Sequence, residues 1–184
     1  MKYYRPTIIT RRTQEFGQNL NNYYAQLGLL GHNGIDYACP EGTELRSPAY
    51  TRAYVSCASF HANYGNRVVL IVRDPDSGKY YKLYFGHLRD MAVKVGDYVD
   101  TGDLMGHTGN TGTASTGPHL HFGVYECDAG GNIKNYRNGY EGALDPDKFL
   151  IDQYVLEALI DQQKQVVSLL QRIIEVMKQL LQRK

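Results

Sequence analysis

The sequence predicts a mainly β chain, an antiparallel β-sheet or sandwich, followed by a long C-terminal α-helix. Three observations predict it. Residues 7–150 are short apolar segments separated by turn signals. Within them, RVVLIVR (67–73) and KYYKLYFGHL (79–88) are rich in β-branched and aromatic residues and flank DPDSG (74–78), which supplies turn chemistry, so the three read as a β-hairpin. From Ile151 to Lys184 there is neither Gly nor Pro, as an uninterrupted helix requires.

The remaining elements follow in chain order. AYVSCAS (53–59) predicts a strand ahead of the hairpin. VKVGDYVDTGDLMG (93–106) alternates apolar pairs with Gly-Asp turns, as small β-barrels and sandwiches do. PHLHFGVYE (118–126) alternates again and predicts a further strand, and ECDAGGNIKNYRNGYEGA (126–143) reads as a loop or long hairpin tip. After ALDPDKFL (143–150) the composition shifts to Gln, Leu, Lys, Glu and Val or Ile, which places a domain boundary near 150, between domains 1–150 and 151–184. In the second, Val166, Leu170, Ile173, Met177 and Leu180 overlap with Val167, Leu170, Ile174, Met177 and Leu181 in an apolar face wider than a two-stranded seam. Ser168, Gln171, Arg172, Glu175, Lys178, Gln179 and Gln182 form the polar face. That face predicts a homo-oligomer built as a helical bundle. Docking on another protein and lying on a membrane surface, which Lys178, Arg183 and Lys184 favour, are the alternatives.

Composition bounds the function classes. A chain of 184 residues, 42% hydrophobic and 21% charged, has the makings of one packed domain with an appendage. The net charge of +1 gives no electrostatic footprint for nucleic acid. Trp is absent but there are 16 Tyr, a density that suits strands and wet surfaces binding sugars or peptides. Cys39, Cys57 and Cys127 are odd in number and never in a C-x-x-C pair, which argues against a zinc ribbon or a dense disulfide framework; three buried free thiols are the expectation and one disulfide the alternative. The opening MKYYRPTIITRR has no apolar core of a signal peptide, and no apolar run approaches a membrane span.

Two constellations carry chemistry. In TGPHLHF (116–122), His119 and His121 stand at i and i+2, which on a strand puts both imidazoles on one face, as a metal site, a proton-handling site or a polar patch. In GHNGIDYACPEGTEL (31–45), His32 and Asp36 are four apart. Straight β-structure would hold their α-carbons about 13 Å apart at ~3.3 Å per residue. They share a cation only if the chain bends at Asn33-Gly34; otherwise the segment is a capped turn with a surface His. FGHLRD (85–90) puts His87 at the end of an apolar strand, and HTGNTGTASTGPHLHF (107–122) is a Gly/Thr/Ser loop able to approach a ligand closely.

Together, GHNGIDYACPEGT, YFGHL, KVGDYVDTGDLMGHTGNTG and TGPHLHF, in this order, resemble the lysostaphin-type (LytM-domain) zinc endopeptidases, which cut the peptide part of bacterial peptidoglycan. The likeness covers about residues 14–150. It implies a catalytic groove and one Zn2+ per chain, with His32, Asp36 and His121 as metal ligands and the fourth position open. It implies that His119 and His87 are the unliganded catalytic pair, which handle the proton of the attacking water. Family members often use a Tyr near the metal as an oxyanion donor, for which Tyr23 and Tyr24 are the candidates. Two departures stand out: Gly123 follows His-Leu-His-Phe where the family commonly has an acidic residue, and SPAYTRAYV (47–55) lacks the usual Gly. His61 and His107 match no motif and read as surface or loop histidines.

The implied function is a zinc-dependent endopeptidase acting on peptidoglycan outside the cytoplasmic membrane, delivered by a phage, a virion or lysis. A non-catalytic wall-binding module of the same fold is the alternative. KVGDYVDTGDLMG also has the look of biotinyl and lipoyl carrier hairpins, but no Lys sits at a suitable hairpin tip and that reading leaves His-x-His without a purpose.

Overall fold

The computed structural model describes residues 1–151 and the helical backbone of 153–182, with side chains described to 151 and again at 163–175, 177 and 178. The chain divides into two compact units, Met1–Leu150 and Ile151–Lys184.

The first unit holds β1 (Arg12–Gln14), the short helix α1 (Tyr23–Gln26), β2 (Ile35–Tyr37), β3 (Glu44–Arg46), β4 (Ala53–His61), β5 (Gly65–Arg73), β6 (Tyr80–Met91), β7 (Tyr98–Val99), β8 (Leu104–Thr108), β9 (Leu120–Cys127) and β10 (Ala143–Leu144). The main sheet runs β1-β2-β9-β6-β5-β4-β7, with β10 on β9 and with β8 joining β3 to β6. Every ladder is antiparallel. The predicted hairpin is the β5–β6 ladder, in which Arg73 pairs with Tyr80 across the DPDSG turn. Asp74 closes that turn by accepting from the Ser77 hydroxyl and backbone N–H. In place of two stacked sheets there is one hydrogen-bonded network that bends on itself.

The bend is made at His87. β6 pairs with β9 as far as Gly86, opposite His121, and from Leu88 onward pairs with β8. Between the two partners His87 adopts φ 63°, a left-handed conformation uncommon for a residue with a β-carbon. Backbone held there costs on the order of 1–3 kcal/mol, and such outliers cluster at functional sites. The core lies on the inner face of this bent sheet. Leu120, Phe122 and Val124 of β9, Leu83, Phe85 and Leu88 of β6, and Val68 and Leu70 of β5 are all fully buried. Phe122 stacks on Phe85 at 5.3 Å and meets the edge of Tyr3 at 4.9 Å. The alternate residues of β9, His121 and Tyr125, therefore project to the other face.

One expectation is corrected, and two histidines take definite places. Cys39 and Cys127 are buried free thiols, but Cys57 is only half-buried, with its sulfur 3.2 Å from the Ser59 hydroxyl. His107 lies on β8, not in a loop, and its Nδ1 is 2.7 Å from Asp90, whose carboxyl it holds below the usual range. His61 ends β4, where its Nδ1 accepts from the backbone N–H groups of Asn63 and Tyr64.

The second unit contains α2 (Gln153–Gln182). Val166, Val167, Leu169, Leu170, Ile173, Ile174 and Met177 are each half or more exposed. The side chains of Gln179, Leu180, Leu181 and Gln182, and residues 152, 183 and 184, to which parts of the stripe and the basic end were assigned, lie outside the described residues. No helix among the described residues is long and apolar enough to cross a membrane.

Candidate metal centre

The register of β2 on β9 builds the centre. Asp36 is the direct cross-strand partner of His121, a position that brings side chains on one face into contact. His32, four residues before Asp36, comes back onto the same spot because the chain bends at Asn33 and Gly34 before β2 begins. Gly34 is required there by packing. A β-carbon on it would stand 2.5 Å from the Phe122 carbonyl oxygen and 2.6 Å from Cε1 of His121. Substituting Gly34→Ala should therefore displace His121 and weaken metal binding by about 10- to 100-fold, the range found when ligand-orienting neighbours are altered. Zinc titration against a competing chelator checks this; unaltered affinity would show that the ring has room to move.

Three donor atoms converge. His32 Nε2 lies 3.0 Å from His121 Nδ1 and 3.3 Å from Asp36 Oδ1, and His121 Nδ1 lies 3.0 Å from Asp36 Oδ1. All three residues are buried and together form a group able to hold a metal ion. Ligands ~2.0–2.1 Å from a tetrahedral zinc stand about 3.3 Å from one another, so the spacing fits that ion. The His32 tautomer agrees. His32 Nδ1 faces the Glu15 carbonyl at 3.3 Å, and a carbonyl only accepts, so Nδ1 carries the proton and Nε2 turns a lone pair into the cluster. That is the support a metal-ligating His receives from its outer neighbours. Burial raises the Asp36 pKa, but the His121 and His32 rings packed against it outweigh this and hold the carboxyl well below the usual range. Burial lowers the His121 pKa, against the opposing pull of Asp36.

His119 and His87 flank this cluster. Their ring centroids are 4.5 Å apart, and His119 Nε2 is 3.7 Å from Asp36 Oδ2. Each is oriented by a backbone carbonyl. His119 Nδ1 donates to Gly117 at 2.8 Å and His87 Nδ1 to Thr111 at 2.8 Å, leaving both Nε2 atoms as the basic nitrogens. Burial pushes the His87 pKa down to about 4, so its base form prevails at neutral pH.

The cluster lies in a groove of about 910 Å3, a volume suited to a peptide-sized ligand. Tyr23 and Tyr24 both line it; Tyr24 is packed 5.6 Å from the His32 ring with its hydroxyl on Gln14, while Tyr23 is half exposed. His61 also lines it. Sequence reasoning missed Tyr64, whose ring is 5.3 Å from His121 and 6.1 Å from His87. It also missed Asn33, which donates from Nδ2 to the Tyr64 hydroxyl at 2.9 Å and to Glu141 at 3.1 Å. Asn33 stood inside the quoted GHNGID, where it signalled only a turn. Glu141, at φ 55°, sits over a hundred residues away in the 126–143 loop, and no local pattern marks it.

The profile described as peptidase family M23 matches residues 30–136. Lysostaphin of Staphylococcus simulans is 38% identical over 126 residues, covering 63% of this chain and 24% of that protein. The solved catalytic domain of that antimicrobial peptidase superposes with a TM-score of 0.57 at 27% identity, over 76% of this chain and 90% of that one. The peptidoglycan DD-endopeptidase ShyA of Vibrio cholerae is 40% identical over 93 residues, 50% of this chain and 19% of that protein. A zinc-containing peptidase from Vibrio cholerae superposes with a TM-score of 0.55 at 27% identity, over 68% of this chain and 37% of that one. The chain spans about a quarter of the length of the curated relatives it matches.

Proposed function

Because the chain belongs to peptidase family M23, we propose that it is a zinc-dependent endopeptidase that hydrolyses peptide bonds in bacterial peptidoglycan, outside the cytoplasmic membrane. The observation that carries this reading is the trio of donor atoms, His32 Nε2, Asp36 Oδ1 and His121 Nδ1, spaced 3.0–3.3 Å apart at the floor of a groove. With two imidazoles and one carboxylate, these residues would hold zinc with net positive charge left over. Bound zinc supplies Lewis acidity, polarising a carbonyl and making water a stronger acid. His119 and His87 do the proton handling. Their Nε2 atoms are free to accept a proton from the attacking water and to pass one to the leaving amine. The carbonyls of Gly117 and Thr111 keep those nitrogens in register. Mass spectrometry of purified peptidoglycan after incubation tests the function. New amino termini in the peptide fragments are expected, and they should disappear with a chelator and return with zinc. Wall hydrolysis at full rate by zinc-free protein would refute it.

We propose as well that α2 joins copies of the chain. The support is its exposed Val, Leu, Ile and Met side chains between 166 and 177, opposite Ser168, Gln171, Arg172, Glu175 and Lys178. Light scattering should give three or more copies for the full chain. A monomer in detergent-free buffer refutes this, and liposome binding by that monomer would assign the helix to a membrane surface.

A further inference from the structure

One charged side chain in the groove is unused by the chemistry above. Arg67, on β5, is the one Lys or Arg among the described groove-lining residues. Its Nη1 donates to the Tyr84 hydroxyl at 2.8 Å and its guanidinium carbon stands 5.7 Å from the centre of that ring. Burial pushes the Tyr84 pKa up to about 12, so the phenol is neutral and gives Arg67 no counter-charge. Arg67 Nε is shielded from solvent without a hydrogen-bond partner. Arg12, Arg46 and Arg89, by contrast, pair with Asp147, Glu44 and Asp90, whereas Arg52 lies over the Tyr98 ring outside the groove. No described carboxylate lies within ion-pair distance of Arg67.

A half-buried guanidinium held by a neutral phenol and the Cys57 thiol, neither a carboxylate, is poised for an anion that arrives with a ligand, because its planar fork matches a carboxylate. The position is informative. Tyr84 lies between Arg67 and the metal cluster, with its ring 6.4 Å from that of His121. A peptide extends ~3.3–3.6 Å per residue, so a group reaching Arg67 belongs to a residue within about three of the bond at the cluster. The other groove-lining carboxylate outside the cluster, Glu141, already accepts from Asn33 and Tyr136.

We propose that Arg67 is a specificity-determining residue that takes a free carboxylate of the substrate peptide close to the cleaved amide. The substrate class is then acidic stem-peptide cross-links of the diaminopimelate kind, and neutral glycine bridges are poor substrates. This rests on the peptidase reading and narrows it.

The test uses the zinc-loaded full chain and two synthetic cross-linked stem-peptide dimers, identical except that one carries free carboxylates and the other carboxamides. Wild type should favour the acidic dimer by about 10- to 100-fold in kcat/KM, the range for a hydrogen bond to a charged group. Most of that should reside in KM. In Arg67→Gln the preference should collapse toward unity through loss on the acidic dimer alone, with zinc content and the rate on the amidated dimer unchanged. Arg67→Lys, which keeps the charge but loses the fork, should fall between. Equal cleavage of both dimers by wild type overturns the inference while leaving the peptidase reading intact, and so does faster cleavage of a pentaglycine peptide. Calorimetric binding of the acidic and amidated monomeric stem peptides separates the failures. Carboxylate-selective binding that requires Arg67, without cleavage of any peptide, keeps the subsite and refutes the enzyme.

Discussion

His121→Ala should leave the protein without zinc and without measurable wall hydrolysis. His121 Nδ1 is the atom closest to both other donors, 3.0 Å from His32 Nε2 and 3.0 Å from Asp36 Oδ1. Its removal leaves two ligands four residues apart in sequence, too few for a tetrahedral zinc site. The Asp36 carboxyl, held low against its burial chiefly by the neighbouring His121, then moves back up toward the ordinary carboxylate range. Metal analysis should fall from about one zinc per chain to none, while far-ultraviolet circular dichroism stays that of the same sheet, because the core side of β9 is Leu120, Phe122 and Val124. The competing arrangement puts both His119 and His121 on the metal, with His87 as the only base. It predicts zinc loss in His119→Ala comparable to that in His121→Ala, and that outcome would reassign the centre.

How much of this was legible in the sequence depends on the range of each signal. The β5–β6 hairpin was legible because its apolar runs and its DPDSG turn are contiguous. The i, i+2 spacing of His119 and His121 placed two imidazoles on one wall, although β9 begins at Leu120 and His119 is held by an isolated bridge to Gly109. His32 and Asp36 were ambiguous because four residues of straight strand would separate them. What unites them is the bend at Asn33-Gly34 together with a register, Asp36 opposite His121, set by strands 85 residues apart. Tyr64, Arg67 and Glu141 were out of reach for the same reason. Each enters the groove through pairing or loop geometry far from the motifs. The bend of the sheet was not legible either, since Gly-His-Leu gives no sign that His87 takes a left-handed φ and lets β6 exchange β9 for β8.

That conformation decides how the second large effect should be sought. Replacing His119 or His87 is expected to spare the zinc and remove most of kcat, by on the order of 10²-fold or more for a general acid–base residue. At His119, Ala suffices. At His87, Ala would combine loss of the imidazole with a β-carbon in left-handed backbone that no longer has His packing to hold it. Asn tolerates that conformation, so His87→Asn isolates the chemistry. The pH profile separates the roles further. With its pKa pushed down by burial to about 4, His87 is unprotonated in most molecules at neutral pH and half protonated near pH 4. An acidic limb of kcat that belonged to His87 would thus appear near pH 4; a limb at higher pH belongs to another group and should persist in His87→Asn. Zinc content near one per chain with kcat down at least 10²-fold in both variants is the expected result. Zinc loss in either variant, or kcat within a few-fold of wild type, would remove that residue from the proton-handling pair.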